Sequence, residues 1–394
     1  MMHSGHYNVL RQARQLGDVL IAGVHSSAEI RRNKGPPVMT DEERVAVVSA
    51  CKWVDEVAFD TPYQPSEETL NRVDADFCVH GDDLPVGAGG GTHAYSQLEA
   101  AGRLRLVKRT EGVSTTDLVG RLLLATREHL GLFRLHPLPE SEDGGGATAA
   151  PAAAPESSEV SEHYARKADC NFLPTSWRIA QFSTARAPGA DDEVVYIDGS
   201  WDLFHVGHVA LLAEAAKRGS YLLVGVHDDK TVNERFGKNY PIMNLHERVL
   251  NVLSCGHVDD VIIGAPRVVS DDLLTTFNVS RVLAATGDRT RETVASDDPY
   301  KAPRARGLLS KIDVSAFFST DMLVDRIVAN RAKYVGRNKG REVKELAYLK
   351  DAKTFVAELE SPKTTKRRNF SSCPRADSAS DMASESDATA ATEL

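Results

Sequence analysis

Residues 194–227 read VVYIDGSWDLFHVGHVALLAEAAKRGSYLLVGVH, and this stretch decides the fold. The β-branched run at its start is typical of a buried strand, HVALLAEAAKRG predicts a helix with Gly219 as its C-cap, and YLLVGVH predicts the next strand. VDDVIIGAP and VSRVLAAT continue the alternation as further strands after helical stretches. Such repetition predicts a doubly wound parallel sheet, which binds ligands where the carboxyl ends of strands meet helix N-termini.

The HVGH motif, residues 205–208, lies at such a junction, and we expect the helix to begin at about His208. Main-chain N–H groups and the helix dipole form an anion site there, and Gly207 would let the backbone come close to a phosphate. His205 and His208, one helical turn apart, can both point at that phosphate. Imidazole donors suit the charge that develops on an α-phosphate as pyrophosphate leaves. The alternatives are a metal-binding pair or two surface histidines.

The same pattern occurs a second time, near the start of the chain. HSGHYNVLRQARQLGDVLIAGVH begins at His3, and its counterpart begins 202 positions later at His205. Three further pairs of segments then repeat at an offset of 204: TDEER with NLHER, KWVDEV with GHVDDV, and STTDLV with FSTDML. Two copies, each longer than about 100 residues, indicate a duplicated domain rather than a solenoid of short repeats.

The two copies differ in what precedes the HxGH motif. A strand and a turn precede His205, whereas only Met1 and Met2 precede His3. A sheet without its central parallel strand leaves ladder groups unpaired and the apolar faces of two helices uncovered. The sequence therefore predicts a loosened first domain, a poorly held His3 and little or no activity for the chain by itself.

The far end of the first copy carries a second candidate phosphate site. In KRTEGVSTTDLVGRLL, residues 108–123, Arg109, Ser114 and Thr115 come directly before a predicted helix. An arginine with hydroxyl groups at a helix N-terminus suits phosphate, and we expect Thr115 or Thr116 to be the N-cap. A plain capped helix would explain the hydroxyl groups but not the arginine.

Length and composition indicate a protein of two ordinary globular domains. The chain has 394 residues, of which 42% are hydrophobic and 26% charged. Its net charge of −9 argues against nucleic acid as a principal partner, because phosphate backbones need a basic surface. Its 5 scattered cysteines predict reduced thiols rather than disulfides or a zinc site, and no apolar run reaches the roughly 20 residues of a membrane span.

Two low-complexity stretches divide the chain. Residues 136–192 are rich in Pro, Ala, Gly, Ser and acidic residues and predict a linker, within which CNFLPTSWRIAQF is apolar enough to dock on a domain. Residues 359–394 predict a disordered tail. The first domain therefore spans residues 1–135, without its first strand, and the second spans residues 193–358.

Seven motifs resemble those of the ethanolamine-phosphate cytidylyltransferases: HSGH, HVGH, RTEGVSTTDLVGR, KGPPVMTDEER, KWVDEV, DFCVHGDD and GKNYPIMNLHER. The resemblance covers nearly the whole chain except the linker and the tail. The duplication is typical of that family, since choline-phosphate and glycerol-phosphate relatives carry a single such domain. The resemblance implies two tandem Rossmann-like nucleotidyltransferase domains. It also implies that CTP and phosphoethanolamine are converted to CDP-ethanolamine and pyrophosphate, in phosphatidylethanolamine biosynthesis, with Mg²⁺ accompanying CTP.

The resemblance also implies roles for individual residues. The implied catalytic set has a histidine pair in each copy, with Lys34 in a flexible loop and Arg109 beside the triphosphate: His3, His6, Lys34, Arg109, His205 and His208. The implied nucleotide-binding set is His80, Gly81, Ser114, Thr115, Ser200, Trp201, Asp202 and Lys238. No residue is implied as a metal ligand. A solvated loop lysine is the alternative for Lys34, and a buried structural ion pair is the alternative to ligand binding for Arg44 and Arg248.

The second copy departs from the family pattern. It has KIDVSAFFSTD in place of the RTxGxST signature, and VLAATGD in place of the segment with HGDD. It therefore has one cation fewer for the leaving pyrophosphate. We expect this copy to bind nucleotide weakly or to act as a scaffold.

Other functions and locations stay open at this point. The alternatives to a cytidylyltransferase are another HxGH nucleotidyltransferase, such as an adenylyltransferase, and an inactive or regulatory nucleotide-binding paralogue. The resemblance implies a cytoplasmic protein, with the surface of the endoplasmic reticulum as an alternative location. A homodimer stays open, and so does weak membrane-surface association through residues 338–360, for which a helix packed on the second domain is the alternative.

Overall fold

The structure is a computed structural model that describes residues 1–85, 93–110, 113–123, 172–184, 186–237, 239–286, 298–313 and 317–334. The first half contributes four short strands, β1 Ile21–Val24, β2 Glu56–Phe59, β3 Cys78–Gly81 and β4 Leu104–Val107. Its helices are α1 Ser4–Arg14, α2 Ser27–Lys34, α3 Asp41–Ser49, α4 Glu67–Arg72, α5 Ser96–Ala100 and α6 Thr115–Leu123. Helix α7 Phe172–Phe182 leads into the second half.

The second half contains a five-stranded parallel sheet. Its strands are β5 Val194–Gly199, β6 Tyr221–His227, β7 Asp260–Ala265, β8 Val279–Thr286 and β9 Leu309–Asp313, in the order β7–β6–β5–β8–β9. Its helices are α8 Val206–Ala216, α9 Asp229–Phe236, α10 Leu245–Leu253, α11 Asp271–Thr276, α12 Lys301–Ala305 and α13 Thr320–Ala329. The central strand β5 pairs with β6 and β8 and is buried along almost its whole length, because helices cover both faces of such a sheet. The predicted doubly wound parallel sheet is confirmed.

The first half lacks the strand that corresponds to β5. Strands β1 and β2 form one parallel pair, which corresponds to β6 and β7 of the second half. Strands β3 and β4 form another, which corresponds to β8 and β9. In the part of the first half that the structure describes, no strand joins β1 to β3. The described strands of the first half thus form two separate parallel pairs.

The expectation that helix faces would be uncovered is wrong for α1. Its Tyr7 is 1% exposed, because α1 packs against α10 of the second half. The large apolar side chains that do stay exposed in the first half lie on strands and loops: Leu16, Val19, Phe59 and Leu106. The other half of the chain thus replaces part of the cover that a complete sheet would give.

A pseudo-two-fold axis relates the two halves. Cys51 and Cys255, which are 204 positions apart, face each other in an isolated antiparallel bridge. The N–H of Lys52 donates to the carbonyl of Ser254 at 3.0 Å, and the N–H of Gly256 donates to the carbonyl of Ala50 at 2.8 Å. Helix α1 packs on α10, and α3 packs on α8, so that each half offers the same surface. One hydrophobic core runs through both halves.

Part of the predicted linker is ordered structure. Residues 136–171 lie outside the described residues, but α7 contains most of the apolar segment that we expected to dock. Phe182 at its end is fully buried, packs edge-on against Trp53 at 5.0 Å between ring centroids, and accepts a hydrogen bond from Nζ of Lys52 at its carbonyl. The docking prediction is confirmed, and the low-complexity description does not hold for residues 172–184. The predicted tail also lies outside the described residues.

Three local predictions need correction. Helix α8 begins at Val206 with His205 as its N-cap, rather than at His208. It ends at Ala216 with Lys217 as its C-cap, so Gly219 is not the cap; a Cβ on Gly219 would lie 2.4 Å from the carbonyl oxygen of Glu193, which explains the glycine by close packing. The offset near the end of each copy is 205 rather than 204, since Ser114 and Ser319 take the same capping role.

A first half that receives the missing strand should be more stable. We expect a chain in which a copy of residues 194–204 replaces Met1 and Met2 to pair its added strand with β1 and β3, as β5 pairs with β6 and β8. The melting temperature should rise by about 5 °C or more, measured by scanning calorimetry. The control carries Val195→Pro and Ile197→Pro in the added copy, because proline cannot donate to a ladder. An equal rise in the control, or none in either chain, would contradict the prediction.

Candidate active site

Each HxGH motif begins a helix with a histidine as its N-cap. Nδ1 of His3 accepts a hydrogen bond from the N–H of Gly5 at 3.2 Å, and Nδ1 of His205 accepts one from the N–H of Gly207, also at 3.2 Å. Since Nδ1 is the acceptor, the neutral ring carries its proton on Nε2. The cap therefore fixes which ring nitrogen can donate to a ligand.

The second histidine of each motif lies against the first. The ring centroids of His3 and His6 are 3.9 Å apart, and those of His205 and His208 are also 3.9 Å apart. The two rings of each pair are thus in contact, while their contact with a phosphate stays a prediction. Burial lowers the pKa of His3 and of His205 well below the usual value. The surrounding protein, and then the positive charges of the N-terminus, Lys34 and Arg109, lower the pKa of His6 to about 3, although the residue is exposed. The rings of His3, His6 and His205 are therefore neutral at pH 7.

Lys34, the last residue of α2, lies in the same cleft. Its ammonium group is 5.0 Å from the centroid of the Tyr63 ring. Burial lowers the pKa of His25 and of His80, and the charge of Lys34 adds to both shifts, as it does at His6. The structure thus brings the predicted lysine to the carboxyl ends of β1 and β3, beside the histidine pair.

Arg109 is held beside the histidines by the carboxylates of the HGDD segment. Its Nη1 forms an ion pair with Oδ2 of Asp83 at 3.1 Å, and its backbone N–H donates to Oδ1 of Asp82 at 2.9 Å. Its charge contributes to the lowered pKa values of His3 and His6, after burial. Arg109 is therefore placed to meet an anion bound at the start of α1.

His80 and Gly81 close strand β3 at this edge. Nδ1 of His80 lies 2.8 Å from the carbonyl oxygen of Gly81, and the His80 ring lies 4.5 Å from the ring of Tyr95. A Cβ on Gly81 would lie 2.8 Å from Oδ1 of Asp83, so a side chain there would displace the carboxylate that holds Arg109. The two residues therefore shape the rim of the cleft.

The first turn of α6 faces the start of the chain. Oγ of Ser114 accepts a hydrogen bond from the N–H of Asp117 at 3.0 Å, so Ser114 is the N-cap and the expectation of a threonine cap is wrong. The helix begins at Thr115, one or two residues earlier than a cap at Thr115 or Thr116 would place it, and the hydroxyl of Thr115 donates to the carbonyl of Met1 at 3.5 Å. Both predicted hydroxyl residues thus lie next to the HSGH segment.

The predicted binding residues ahead of His205 are used inside the second half. The indole N–H of Trp201, which is 2% exposed, donates to the carbonyl of Gly225 at 2.9 Å, and the carbonyl of Ser200 accepts from Arg248 at 2.6 Å. The carboxylate of Asp202 accepts three backbone N–H groups, those of Leu203, Ile242 and Met243. Burial raises the pKa of Asp202 to about 6, against the opposite effect of these hydrogen bonds.

The start of α8 is closed by a carbonyl group. A Cβ on Gly207 would lie 1.8 Å from the carbonyl oxygen of Phe318, whereas a Cβ on Gly5 would lie 3.6 Å from the carbonyl oxygen of Val113. Nε2 of His205 is also 3.0 Å from the hydroxyl of Thr320. The close approach that we expected of a phosphate at Gly207 is made by this carbonyl, whose negative end faces the helix N-terminus.

The arginines of the two ER motifs serve the structural role that was the alternative to ligand binding. Arg44 pairs with Asp41 and donates to the carbonyls of Met39 at 2.6 Å and His25 at 2.8 Å. Arg248 is fully buried and pairs with Asp229 at 2.7 Å. Each arginine ties the start of a helix to the end of a strand.

Sequence reasoning missed residues that line the first cleft. His25 directly follows β1, at the carboxyl end of that strand. Its Nδ1 lies 2.8 Å from the carbonyl oxygen of Thr61, and its ring centroid is 5.7 Å from that of Tyr63. The rule that ligands bind at strand carboxyl ends would have singled out both residues, since each follows the end of a strand.

Three further observations concern what the described residues do not contain. Lys238 lies outside them, so its predicted role has no geometry to test it. Within the described ranges, no group of three or more His, Cys, Asp or Glu side chains is placed to hold a metal ion. No helix of the described part is long and apolar enough to cross a membrane.

Stability should fall in weak acid because of the buried cap histidines. The folded-state pKa of His3 and of His205 lies below the usual 6.5, so below that pH the unfolded chain takes up protons that the folded chain does not. The free energy of unfolding should be highest above pH 6.5 and decline as the pH falls, by at most about 1.4 kcal/mol per pH unit for each ring. Urea denaturation between pH 7.5 and 5 measures this slope. His205→Asn keeps a capping acceptor and should flatten it, whereas His93→Asn, outside the site, should not. An unchanged slope in His205→Asn would refute the assignment.

Comparisons with known proteins agree with this geometry. The cytidylyltransferase-like family model matches residues 1–121 and 196–316, that is, both halves. The chain is 44% identical to an ethanolamine-phosphate cytidylyltransferase of Dictyostelium discoideum, over 89% of this chain and 94% of that protein. Relatives of the same name from Mus musculus and Arabidopsis thaliana are 45% and 44% identical, over 90% and 91% of this chain and 89% and 84% of their own lengths. With one such fold in each half and HxGH at both helix starts, the chain belongs to the ethanolamine-phosphate cytidylyltransferases.

Proposed function

We propose that the first half catalyses the transfer of the cytidylyl group from CTP to phosphoethanolamine, which gives CDP-ethanolamine and pyrophosphate in phosphatidylethanolamine biosynthesis. One observation carries this proposal: the neutral pair His3 and His6 at the start of α1 shares a cleft with the cations Lys34 and Arg109. The family membership supports the choice of substrates, since the relatives are named for ethanolamine phosphate.

The reaction needs no covalent enzyme intermediate. A phosphate oxygen of phosphoethanolamine attacks the α-phosphorus of CTP, the bond between that phosphorus and the bridging oxygen breaks, and the electron pair leaves with pyrophosphate. The Nε2 proton of His3, the ring of His6 and the N–H groups at the start of α1 would donate to the α-phosphate, and Lys34 and Arg109 would bind the charge of the leaving pyrophosphate. Catalysis then consists of positioning and charge stabilisation.

Mg²⁺ would enter this site with CTP. The described residues offer no cluster of side chains that would hold a metal ion by themselves, which fits a cation carried by the triphosphate rather than a resident one. The metal would neutralise part of the phosphate charge. His80 and Gly81 at the rim would lie beside the cytidine, and Ser114 and Thr115 beside the triphosphate.

The second half would not turn over substrate. The carbonyl of Phe318 lies where a phosphate would have to approach α8, and Thr320 engages His205. Trp201 and Asp202 are committed to contacts within the half. Weak nucleotide binding through Ser200, His208 or Lys238 and a scaffold role are both compatible with this arrangement.

The proposed substrates are charged and water-soluble, which fits a cytoplasmic enzyme. Association with the surface of the endoplasmic reticulum and homodimer formation remain predictions from the sequence.

Substrate preference tests the proposal directly. We expect the chain with the added copy of residues 194–204 to release pyrophosphate faster with CTP than with ATP, and faster with phosphoethanolamine than with phosphocholine or glycerol-3-phosphate. The chain without the added copy should be slower. A preference for ATP would indicate another HxGH nucleotidyltransferase, and no turnover with any pair would indicate an inactive nucleotide-binding paralogue.

Substitutions in the two halves should have different effects. His6→Ala or Arg109→Ala should lower kcat by on the order of 10²-fold or more, because each removes a group that meets developing charge. His208→Ala, the matched change in the second half, should act mainly through stability. Steady-state kinetics and thermal unfolding of the same preparations separate the two effects. Equal losses of kcat at His6 and His208 in folded protein would overturn this division.

A further inference from the structure

Two equivalent ion pairs join the two halves across the pseudo-two-fold axis. Arg326 of α13 forms a bidentate pair with Glu43 of the first half, at 2.7 and 3.0 Å. Arg121 of α6 forms the corresponding pair with Glu247 of the second half, at 2.7 and 3.1 Å. Each arginine is thus on the last helix that the structure describes in one half, and each glutamate is on a helix of the other.

Each glutamate also closes the start of its own helix. Oε2 of Glu43 accepts the backbone N–H of Thr40 at 2.9 Å, and Oε2 of Glu247 accepts that of Asn244 at 2.9 Å, in two capping boxes. An arginine that pairs with this glutamate therefore holds both the helix and the loop that precedes it. The side chain of Glu247 is only 4% exposed and that of Arg121 14%, so this pair is largely removed from water.

The first contact holds the loop that follows Lys34. Arg326 also donates to the carbonyl of Val38 at 3.1 Å, and the hydroxyl of Tyr334 donates to the carbonyl of Pro37 at 3.2 Å. Tyr334 is fully buried, and Val38 is 3% exposed. The second half therefore holds two carbonyl groups of the segment that begins directly after α2, at whose end Lys34 stands.

The second contact holds α6, whose first turn carries Ser114 and Thr115. Arg121 forms ion pairs with Asp117 of its own helix, at 2.6 Å, and with Glu247. The side-chain amide of Asn239 donates to the carbonyls of Arg121 at 2.9 Å and Leu122 at 3.2 Å. These carbonyls belong to the last turn of α6 that the structure describes.

We infer that the second half positions the two phosphate-binding segments of the first-half site, which are the loop after Lys34 and the start of α6. Arg326, Tyr334, Asn239 and Glu247 are its positioning residues, and none of them touches substrate. The inference rests on the proposed function in one respect, the assignment of those segments to CTP. It explains why a half whose own helix start is closed by Phe318 keeps both ion pairs.

Hydrogen–deuterium exchange tests the positioning without any turnover. In the full chain, Arg326→Gln should speed amide exchange in residues 35–40, and Glu247→Gln should speed it in residues 113–123. The matched control is Arg306→Gln, which breaks an ion pair of 2.6 Å with Asp271 inside the second half. Exchange in those two segments should not change in the control. Unchanged exchange in the charge variants, or the same increase throughout the second half, would overturn the inference.

Steady-state kinetics adds a readout that a purely structural role would not move. At a temperature where circular dichroism shows every variant folded, the KM for CTP should rise by about tenfold or more in Arg326→Gln and Glu247→Gln, while the KM for phosphoethanolamine stays within about twofold. Arg326→Lys should recover part of the loss. A fall in kcat with both KM values unchanged would mean a loss of folded enzyme only and would count against positioning.

Milder variants keep the test decisive where a charge variant does not fold. Tyr334→Phe removes only the hydroxyl that holds Pro37, and Asn239→Ala removes the amide that holds α6; the same segment-specific exchange is expected in each. If the chain with the added copy of residues 194–204 releases no pyrophosphate with any substrate pair, the proposed function fails, while the exchange results still decide whether the second half positions these segments.

Discussion

The site depends on one hydrogen bond, from the N–H of Gly5 to Nδ1 of His3, at 3.2 Å. It starts helix α1, satisfies a donor that the helix itself leaves open, and leaves the ring proton on Nε2. It also explains the glycine of the HxGH motif, because a Cβ on Gly5 would lie 3.0 Å from two atoms of the His3 ring. Any larger residue would press on the ring and disturb both the cap and the donor. The second half repeats the bond at the same distance, so cap geometry alone does not separate a working site from a closed one.

What separates the halves is the surroundings of that bond. In the first half Lys34 and Arg109 lie close enough to lower the pKa of His6. The carbonyl oxygen of Val113 would lie 3.6 Å from a Cβ on Gly5, so it leaves the helix start open. In the second half the carbonyl of Phe318 and the hydroxyl of Thr320 take the positions around His205. Among the described residues, the cations beside a histidine pair are thus Lys34 and Arg109 of the first half. The segments that carry them are anchored from the other side, which gives the closed half a physical role.

The sequence predicted what depends on local pattern and on repetition. The strand–helix alternation, the two histidine pairs at helix starts and the absence of a central first strand all followed from the order of residues. The N-cap at Ser114 was missed because three hydroxyl residues in a row can each cap, and the choice depends on where the tertiary packing starts the helix. The carbonyl of Phe318 could not be foreseen, since any residue supplies the same backbone group. The contacts of Arg121 and Arg326 needed the relative placement of the halves, which residue periodicity does not contain.

The pseudo-two-fold arrangement has a consequence for assembly. Its contacts are isologous, as in a symmetric dimer, but both partners belong to one chain. Covalent linkage makes this association unimolecular, so it does not weaken on dilution as that of a two-chain dimer would. The surface around Cys51 and Cys255 is already used, and a homodimer of the full chain would have to form through a different face. Linkage also means that the two copies need not keep identical sequences, so each position at the axis can change in one copy alone. Lys52 pairs with Ser254 there, whereas its equivalent in the second copy, Gly256, pairs with Ala50, so the asymmetry extends to the axis itself.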